Sequence, residues 1–180
     1  IPMYVGRTND GTVVNFRSGG TSIGNISVSG STVTYGAFTG VHYGYTNQDL
    51  KLGQLISLGD NHRYPSTIDE GIREPLYEIK SSQNRNSSKI FGAYVGLIDP
   101  ENPFDEVDNP HNFMAIGNGE VLVVDKGQDL KIGDYLISSN IPGYAELDTG
   151  EYKTAHIIAR VAENTTWNDV TDEVNGVKYK

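Results

Sequence analysis

The feature that most constrains the fold is a strand unit written twice. It reads Asp49-Leu50-Lys51-Leu52-Gly53-Gln54-Leu55-Ile56-Ser57, and later Asp129-Leu130-Lys131-Ile132-Gly133-Asp134-Tyr135-Leu136-Ile137-Ser138-Ser139. In both copies Lys, an aliphatic residue and Gly come in succession, which suits a tight turn with a positive φ at Gly before an apolar strand that ends in Ser. The second copy carries one extra residue before the shared Leu-Ile-Ser. Two readings stand side by side: a duplicated unit framing a pseudo-symmetric β-core, or a common way to enter a strand used twice. Under either one these residues are structural.

The rest of the chain points the same way. With 21 Gly, 11 Tyr and only two Met, the composition is one of strands and tight turns, and the expected class is all-β. Tyr4 to Arg7, the turn signal Asn9-Asp10-Gly11 and Thr12 to Arg17 read as strand, hairpin turn and strand, with Gly19-Gly20 turning the chain again. Ser22 to Val28 and, after Gly30, Ser31 to Tyr35 alternate with period two, placing Ile26 and Val28 on one face. Ser and Thr fill so many of these positions that the segment lacks the apolar bulk for a core of its own.

Further along, a turn feeds a buried strand through Leu52 to Ser57, Leu76 to Ile79 is a weak strand, and Phe91 to Ile98 is a central one. The polar stretch Gly59 to Asn86, with its run Ser81 to Ser88, reads as solvated loop, as does the acidic, proline-rich Asp99 to Asn112. Asn112 to Gly117, the turn Asn118-Gly119 and Glu120 to Asp125 form the clearest hairpin signal, and Thr154 to Ala162, with β-branched Ile157, Ile158 and Val161, reads as a strand. The expected organisation is a shaft-like β-hairpin arm over 1–35, leading into a compact globular β-head over 36–180.

Several function classes are disfavoured. There is no cysteine, so thiolate chemistry and disulfides are out. A net charge of -9, with Lys and Arg dispersed, argues against nucleic acid as a partner, and no apolar run reaches the roughly 20 residues of a membrane-inserted helix. A chain opening on Ile1-Pro2-Met3 reads as a piece of something longer. The histidines at 42, 62, 111 and 156 lack metal-ligand spacing, and the cluster Asp99, Glu101, Asp105, Glu106 and Asp108 lacks the order of an EF-hand loop, so no metal is expected. The glycine-rich stretches Ser18-Gly19-Gly20 and Gly117-Asn118-Gly119 have no helix and Lys to make a phosphate cradle, so no cofactor is expected either. His42, flanked by Gly40 and Gly44, is a candidate general base, with a hydrogen-bonded structural histidine as the alternative. Tyr and Asn in loops are the residue types of carbohydrate-binding surfaces, which makes a host-surface glycan or receptor a candidate partner.

The run Arg7-Thr8-Asn9-Asp10-Gly11-Thr12-Val13-Val14-Asn15-Phe16-Arg17 through Gly20, with Ile23 to Gly30 and Tyr35, resembles the lead-in to C-terminal intramolecular chaperone domains of phage tail fibres, tailspikes and neck appendages. The stretch Val121 to Glu163, with Gly133-Asp134-Tyr135-Leu136-Ile137-Ser138-Ser139-Asn140-Ile141-Pro142-Gly143-Tyr144-Ala145, is similar to a β-rich tip module of viral and bacterial fibre proteins. The resemblance implies a homotrimer whose arm continues a β-shaft, a domain that aligns the three chains, and a place on a virion tail fibre or surface appendage. Many members of that family cut their own backbone. The best-known branch does so at a Ser-Asp pair just after the position of Tyr35, where this chain has Gly36-Ala37-Phe38-Thr39-Gly40, and the helical region that follows there is replaced by the β-rich Leu50 to Ile98. If cleavage occurs, Thr39, His42 and Asp49 are the residues able to supply nucleophile, base and carboxylate. The leading expectation is fibre assembly; a self-cleaving protease and a carbohydrate-binding head are the alternatives.

Overall fold

A computed structural model describes residues 5–18, 21–36, 39–63, 76–98 and 110–180. The chain is all-β: among the described residues the only helical elements are two 3-10 turns, Thr154–His156 and Trp167–Asp169. It divides into two compact units, Ile1–Gly40 with Ile116–Asn118, and Val41–Ala115 with Gly119–Lys180. The Gly19-Gly20 turn, the loop residues 64–75 and the acidic stretch 99–109, with its calcium-like cluster, lie outside the described residues.

The first unit holds a three-stranded antiparallel meander of β1 (Gly11–Ser18), β2 (Thr21–Ser29) and β3 (Thr32–Gly36) in that order. Ser29 pairs with Thr32 across the two-residue turn Gly30-Ser31, with Gly30 at φ +55. The expected hairpin around Asn9-Asp10-Gly11 does not form, because residues 5–7 are not a strand. Asp10 instead accepts hydrogen bonds from the Gly30 amide (2.9 Å) and the Ser29 hydroxyl (3.0 Å), so it caps the β2–β3 turn. Those bonds, the Gly30 amide first, hold its carboxyl below the usual value. Arg7 meanwhile donates to the Thr12 carbonyl at 2.8 Å.

The main body contains a closed barrel of β4 (Thr39–Tyr45), β6 (Tyr77–Ser81), β5 (Leu55–Leu58), β7 (Ile90–Leu97) and β8 (His111–Gly117), in that spatial order. Close approach of β7 and β8 depends on Gly92, where a Cβ would lie 2.1 Å from the Met114 carbonyl oxygen. Ile56, Ile79, Tyr94 and Phe113 form one buried cluster. A second gathers Leu55, Val123, Leu130, Leu136, Ala145, Leu147, Val161 and Trp167. Leu55 and Ile56, consecutive on β5, point to opposite faces, so this strand is a wall common to both cores.

The strand unit written twice is one backbone frame built twice. Gly53 and Gly133 have φ of +78 and +94. In each copy the residue after Gly donates its amide to the Lys carbonyl, at 3.1 Å for Gln54 to Lys51 and 3.0 Å for Asp134 to Lys131. Its side chain accepts from the Lys amide in return, at 2.9 Å for Gln54 and 2.8 Å for Asp134. Each turn then exchanges two backbone bonds with a neighbouring segment: Gly53 donates to Tyr94 and Tyr94 to Gln54, while Gly133 donates to Val161 and Val161 to Asp134. The strand that follows is central in both cases. β5 lies antiparallel between β6 and β7, and β9 (Tyr135–Ser138) between β10 (Ala145–Leu147) and β11 (Ala159–Arg160). The extra residue of the second copy is absorbed in register. β9 opens on Tyr135 where β5 opens on Leu55, so the two Leu-Ile-Ser triplets are one residue out of phase.

Two strand expectations are corrected. Glu120 to Asp125 does not fold back as a hairpin on β8. Val124 donates to the Ala145 carbonyl (2.9 Å), Ala145 to that of Leu122 (2.8 Å), and Val123 exchanges bonds with Lys180, so the backbone groups a hairpin needs are used elsewhere and Val123 and Val124 are buried. Thr154 to Ala162 is strand only over Ala159–Arg160; a 3-10 turn at Thr154–His156 precedes it, and the partner β9 is four residues long. Asn175-Gly176, with φ of +52 and +76, makes a hairpin of β12 (Glu173–Val174) and β13 (Val177–Lys178).

The frame predicts an ordered pair of glycine effects. A Cβ on Gly133 meets nothing within 4 Å, so Gly133→Ala carries only the positive-φ strain, and urea unfolding should show a loss of about 1–2 kcal/mol. At Gly53 a Cβ would also press on the Leu122 amide and side chain, both at 3.3 Å, so Gly53→Ala should cost more than Gly133→Ala.

Candidate functional site

The residues with the least internal support are those of the β1-β2-β3 sheet. Among the described side chains of residues 5–40 none is buried. Register sorts them onto two faces. Val14 lies opposite Ile26, Phe16 opposite Gly24 and Val28 opposite Val33, while Thr12 lies opposite Ser27 and Asn15 opposite Asn25. One face is therefore apolar and the other polar. Hydrogen bonds along the polar face confirm the sorting: Thr12 Oγ1 and Ser27 Oγ are 3.3 Å apart, and Ser27 Oγ donates to Asn25 Oδ1 at 2.8 Å. On the apolar face Phe16 is 52% and Val33 54% exposed. The alternation of Ile26 and Val28 was legible in sequence. The placement of Val14 rather than Val13 opposite Ile26 was not, because it follows from a register shift between Thr12 and Val14.

The three residues named for self-cleavage have separate settings. Thr39 is the first residue of β4, within the first unit, whereas His42 and Asp49 belong to the second. His42 lies in a ring cluster with Phe113, Tyr77 and Phe91 at centroid distances of 5.8, 6.1 and 6.1 Å. Four strands, β4, β6, β7 and β8, each supply one of these rings, which fits the structural alternative for this histidine. Gly44 matters for packing: a Cβ there would lie 2.8 Å from Ile79 Cγ2. Asp49 is exposed, and its charge acts on Tyr94.

Tyr94 and His111 form the titratable pair in this region, with Oη 2.8 Å from Nδ1. Burial pushes the Tyr94 phenol up, with Asp49 adding to the shift, and burial pushes His111 down. The phenol and the imidazole thus share one part-buried hydrogen bond across the β7–β8 pair. The sequence offered His111 only as one of four histidines without metal-ligand spacing and Tyr94 only as part of a central strand, so their pairing was not legible.

Sequence reading also treated Ser81 to Ser88 as solvated, yet Arg85 is the hub of a polar network. Its Nε pairs with Glu146 Oε1 and its Nη1 with Glu151 Oε1 at 2.6 Å. Glu146 is 1% exposed and has Lys126 as a second cation at 3.5 Å. Asn86 donates to Glu151 at 2.9 Å and meets His156 Nδ1 at 2.6 Å, while the Ser138 hydroxyl donates to the Asn84 carbonyl at 2.9 Å. The network clamps the loop between β6 and β7 onto β9 and β10, joining the two copies of the repeated frame. Removing one partner would leave a buried charge uncompensated, which is how such a pair enforces its geometry.

An open cleft of about 600 Å³ is lined in part by Asp129, Asp134, Asp148 and Lys131, with Leu147 as an apolar residue. Each carboxylate is engaged with backbone amides: Asp129 with Trp167, Asp134 with Lys131, and Asp148 with Gly150 and Glu151. Asp134 and Asp148 close local turns, and Asp129 ties its segment to the 3-10 turn Trp167–Asp169. Among the described residues no group of three or more His, Asp or Glu side chains is placed to hold a metal ion. No protein-family model matches the chain, and no curated protein or solved structure matches it either.

The His111 environment sets a pH dependence. Its folded pKa lies below the unfolded value of 6.5, so the unfolded chain binds more protons in that window; this contribution to stability is complete above 6.5 and is lost as pH falls below it. Urea unfolding at pH 7.5 and pH 5 should show lower stability at pH 5, and His111→Gln should shrink that difference. An unchanged difference in the variant would assign the pH dependence to other groups.

Proposed function

We propose that this chain is the C-terminal assembly domain of a homotrimeric fibre on a virus-like particle, in which the arm continues a β-shaft and the body forms the distal head that keeps three chains in register. The observation that carries the reading is the β1-β2-β3 sheet, whose apolar face has Phe16 and Val33 more than half exposed and in which no described side chain is buried. An exposed apolar sheet face gains stability when a second layer covers it, and copies of the same sheet supply one. Charge opposes association of the arms only weakly: residues 1–40 carry Arg7, Asp10 and Arg17, a net +1, and the remaining -10 lies on residues 41–180.

The resemblance of Arg7 to Gly30 to the lead-in of phage fibre chaperone domains points the same way. The reading is one of assembly rather than proteolysis, because the Ser-Asp pair of the cleaving branch is replaced by Gly36-Ala37-Phe38-Thr39-Gly40. On this reading the protein works outside the cell, on an appendage whose head faces the host surface.

Sedimentation equilibrium of the intact chain at micromolar concentration tests the proposal. The expected mass is three times the 19.7 kDa of one chain, and a mass of one chain across the concentration range would overturn it.

A further inference from the structure

We propose that Asn118-Gly119 is a self-modification site, at which the Gly119 amide nitrogen closes on the Asn118 carboxamide and converts it, through a cyclic imide, into aspartate and isoaspartate. The proposal is independent of the fibre reading and of the number of chains in the assembly.

The reaction needs only water and the chain itself. The Gly119 nitrogen gives up its proton and bonds to Asn118 Cγ, the Cγ–Nδ2 bond breaks, and the side-chain nitrogen leaves as ammonia with a proton returned to it. The product is a five-membered succinimide. Water then opens the ring at one of its two carbonyls: cleavage of the Cγ–N bond gives aspartate, and cleavage at the backbone carbonyl gives isoaspartate. One water is taken up and one ammonia released, and nothing is oxidised or reduced.

The chain has two Asn-Gly pairs, and the fold treats them differently. Asn175-Gly176 is the turn of the β12–β13 hairpin, with φ of +52 and +76 and Val174 paired with Val177 across it. Backbone bonds hold that hairpin on both sides, from the Tyr179 amide to the Asp172 carbonyl (2.9 Å) and from the Asp125 amide to the Lys178 carbonyl (2.8 Å). Ring closure requires rotation about the Asn Cα–C bond to bring the next nitrogen against Cγ, and at Asn175 that rotation would swing the paired strands apart.

Asn118 has no such frame around it. It follows the last residue of β8, and Gly119 is outside the left-handed region that the hairpin turn imposes on Gly176. Gly119, Glu120 and Val121 make no backbone hydrogen bond among the described residues; the next amide held is that of Leu122, which donates to the Gly53 carbonyl at 2.9 Å. The attacking nitrogen is thus unbonded, and both residues of the pair are exposed to the water that completes the reaction. Glycine leaves that nitrogen unshielded, and a side chain at 119 would run into the Met114 thioether, whose Sδ lies 2.5 Å from where a Cβ would stand. Conversion adds a carboxylate to a chain already at -9, and isoaspartate adds a carbon to the backbone at the bond where the chain passes from the first unit into the second.

The test is to incubate the intact chain at mildly alkaline pH, in native buffer and in guanidinium chloride, and to follow both sites by peptide mass spectrometry. Electron-transfer fragmentation separates isoaspartate from aspartate, and Asn118→Gln and Asn175→Gln assign the signals. In native buffer Asn118 should convert about tenfold or more faster than Asn175, the ratio set by a hairpin-opening cost of about 1.4 kcal/mol. Isoaspartate should be among the products, and in guanidinium chloride the two rates should converge. Equal native rates, or faster conversion at Asn175, would overturn the proposal. So would an Asn118 that stays intact in the native chain while the denatured chain converts. A difference that persists in guanidinium chloride would assign the preference to neighbouring sequence and overturn its structural basis.

Discussion

A three-stranded sheet has two faces, and this one has side chains suited to burial on one of them, yet among its described side chains none is buried. That constraint governs the account. Val14, Ile26 and Val28 are only half-buried and Phe16 and Val33 more than half exposed, so the hydrophobic contribution the sheet could make is largely unrealised in a single chain. The unit's internal ties are local: the Asp10 cap on the Gly30 turn and the Arg7 bond to Thr12 hold the strands in register without adding a core. On the proposed reading, a segment built this way gains most of its stability when copies meet.

The main body solves the same problem internally. Two buried clusters fill it, and β5 serves both at once through Leu55 and Ile56. The repeated Lys-aliphatic-Gly turn fixes where a central strand begins, and its reciprocal bonds with Tyr94 in one copy and Val161 in the other fix which segment lies beside it. Arg85, held between Glu146 and Glu151, locks the first frame to the second. Polar groups of the body are engaged in this framework: His42 among rings, Tyr94 with His111, Asp134 and Asp148 at turns, and Asp129 with the Trp167 amide.

How much of this was legible in sequence depends on whether a signal was local. Period-two runs gave β2 and β3, a continuous apolar run gave β7, and the Lys-aliphatic-Gly pattern gave both turns, because turn geometry is set by the residues that make it. The two Asn-Gly pairs show the limit. Asn175-Gly176 makes a hairpin between short strands with positive φ at both residues, whereas the stronger signal at Asn118-Gly119 fails because the strand after it is claimed by Ala145 and Lys180. Such tertiary competition is invisible to a local pattern. Arg85 was missed for a similar reason, since its partners Glu146 and Glu151 are some sixty residues away in a polar stretch that reads as solvated. The apolar arm face was half legible: Ile26 and Val28 by alternation, Val14 and Phe16 only once the β1 register was known.

The central claim, that the arm owes its stability to other copies of itself, is tested most directly by hydrogen exchange of the intact chain over a series of protein concentrations. The account predicts that amides of β1, β2 and β3 are protected at high concentration and lose protection on dilution, while those of β5, β7 and β9 keep theirs. Arm amides that stay equally protected at every concentration, in a chain sedimenting as a monomer, would contradict it.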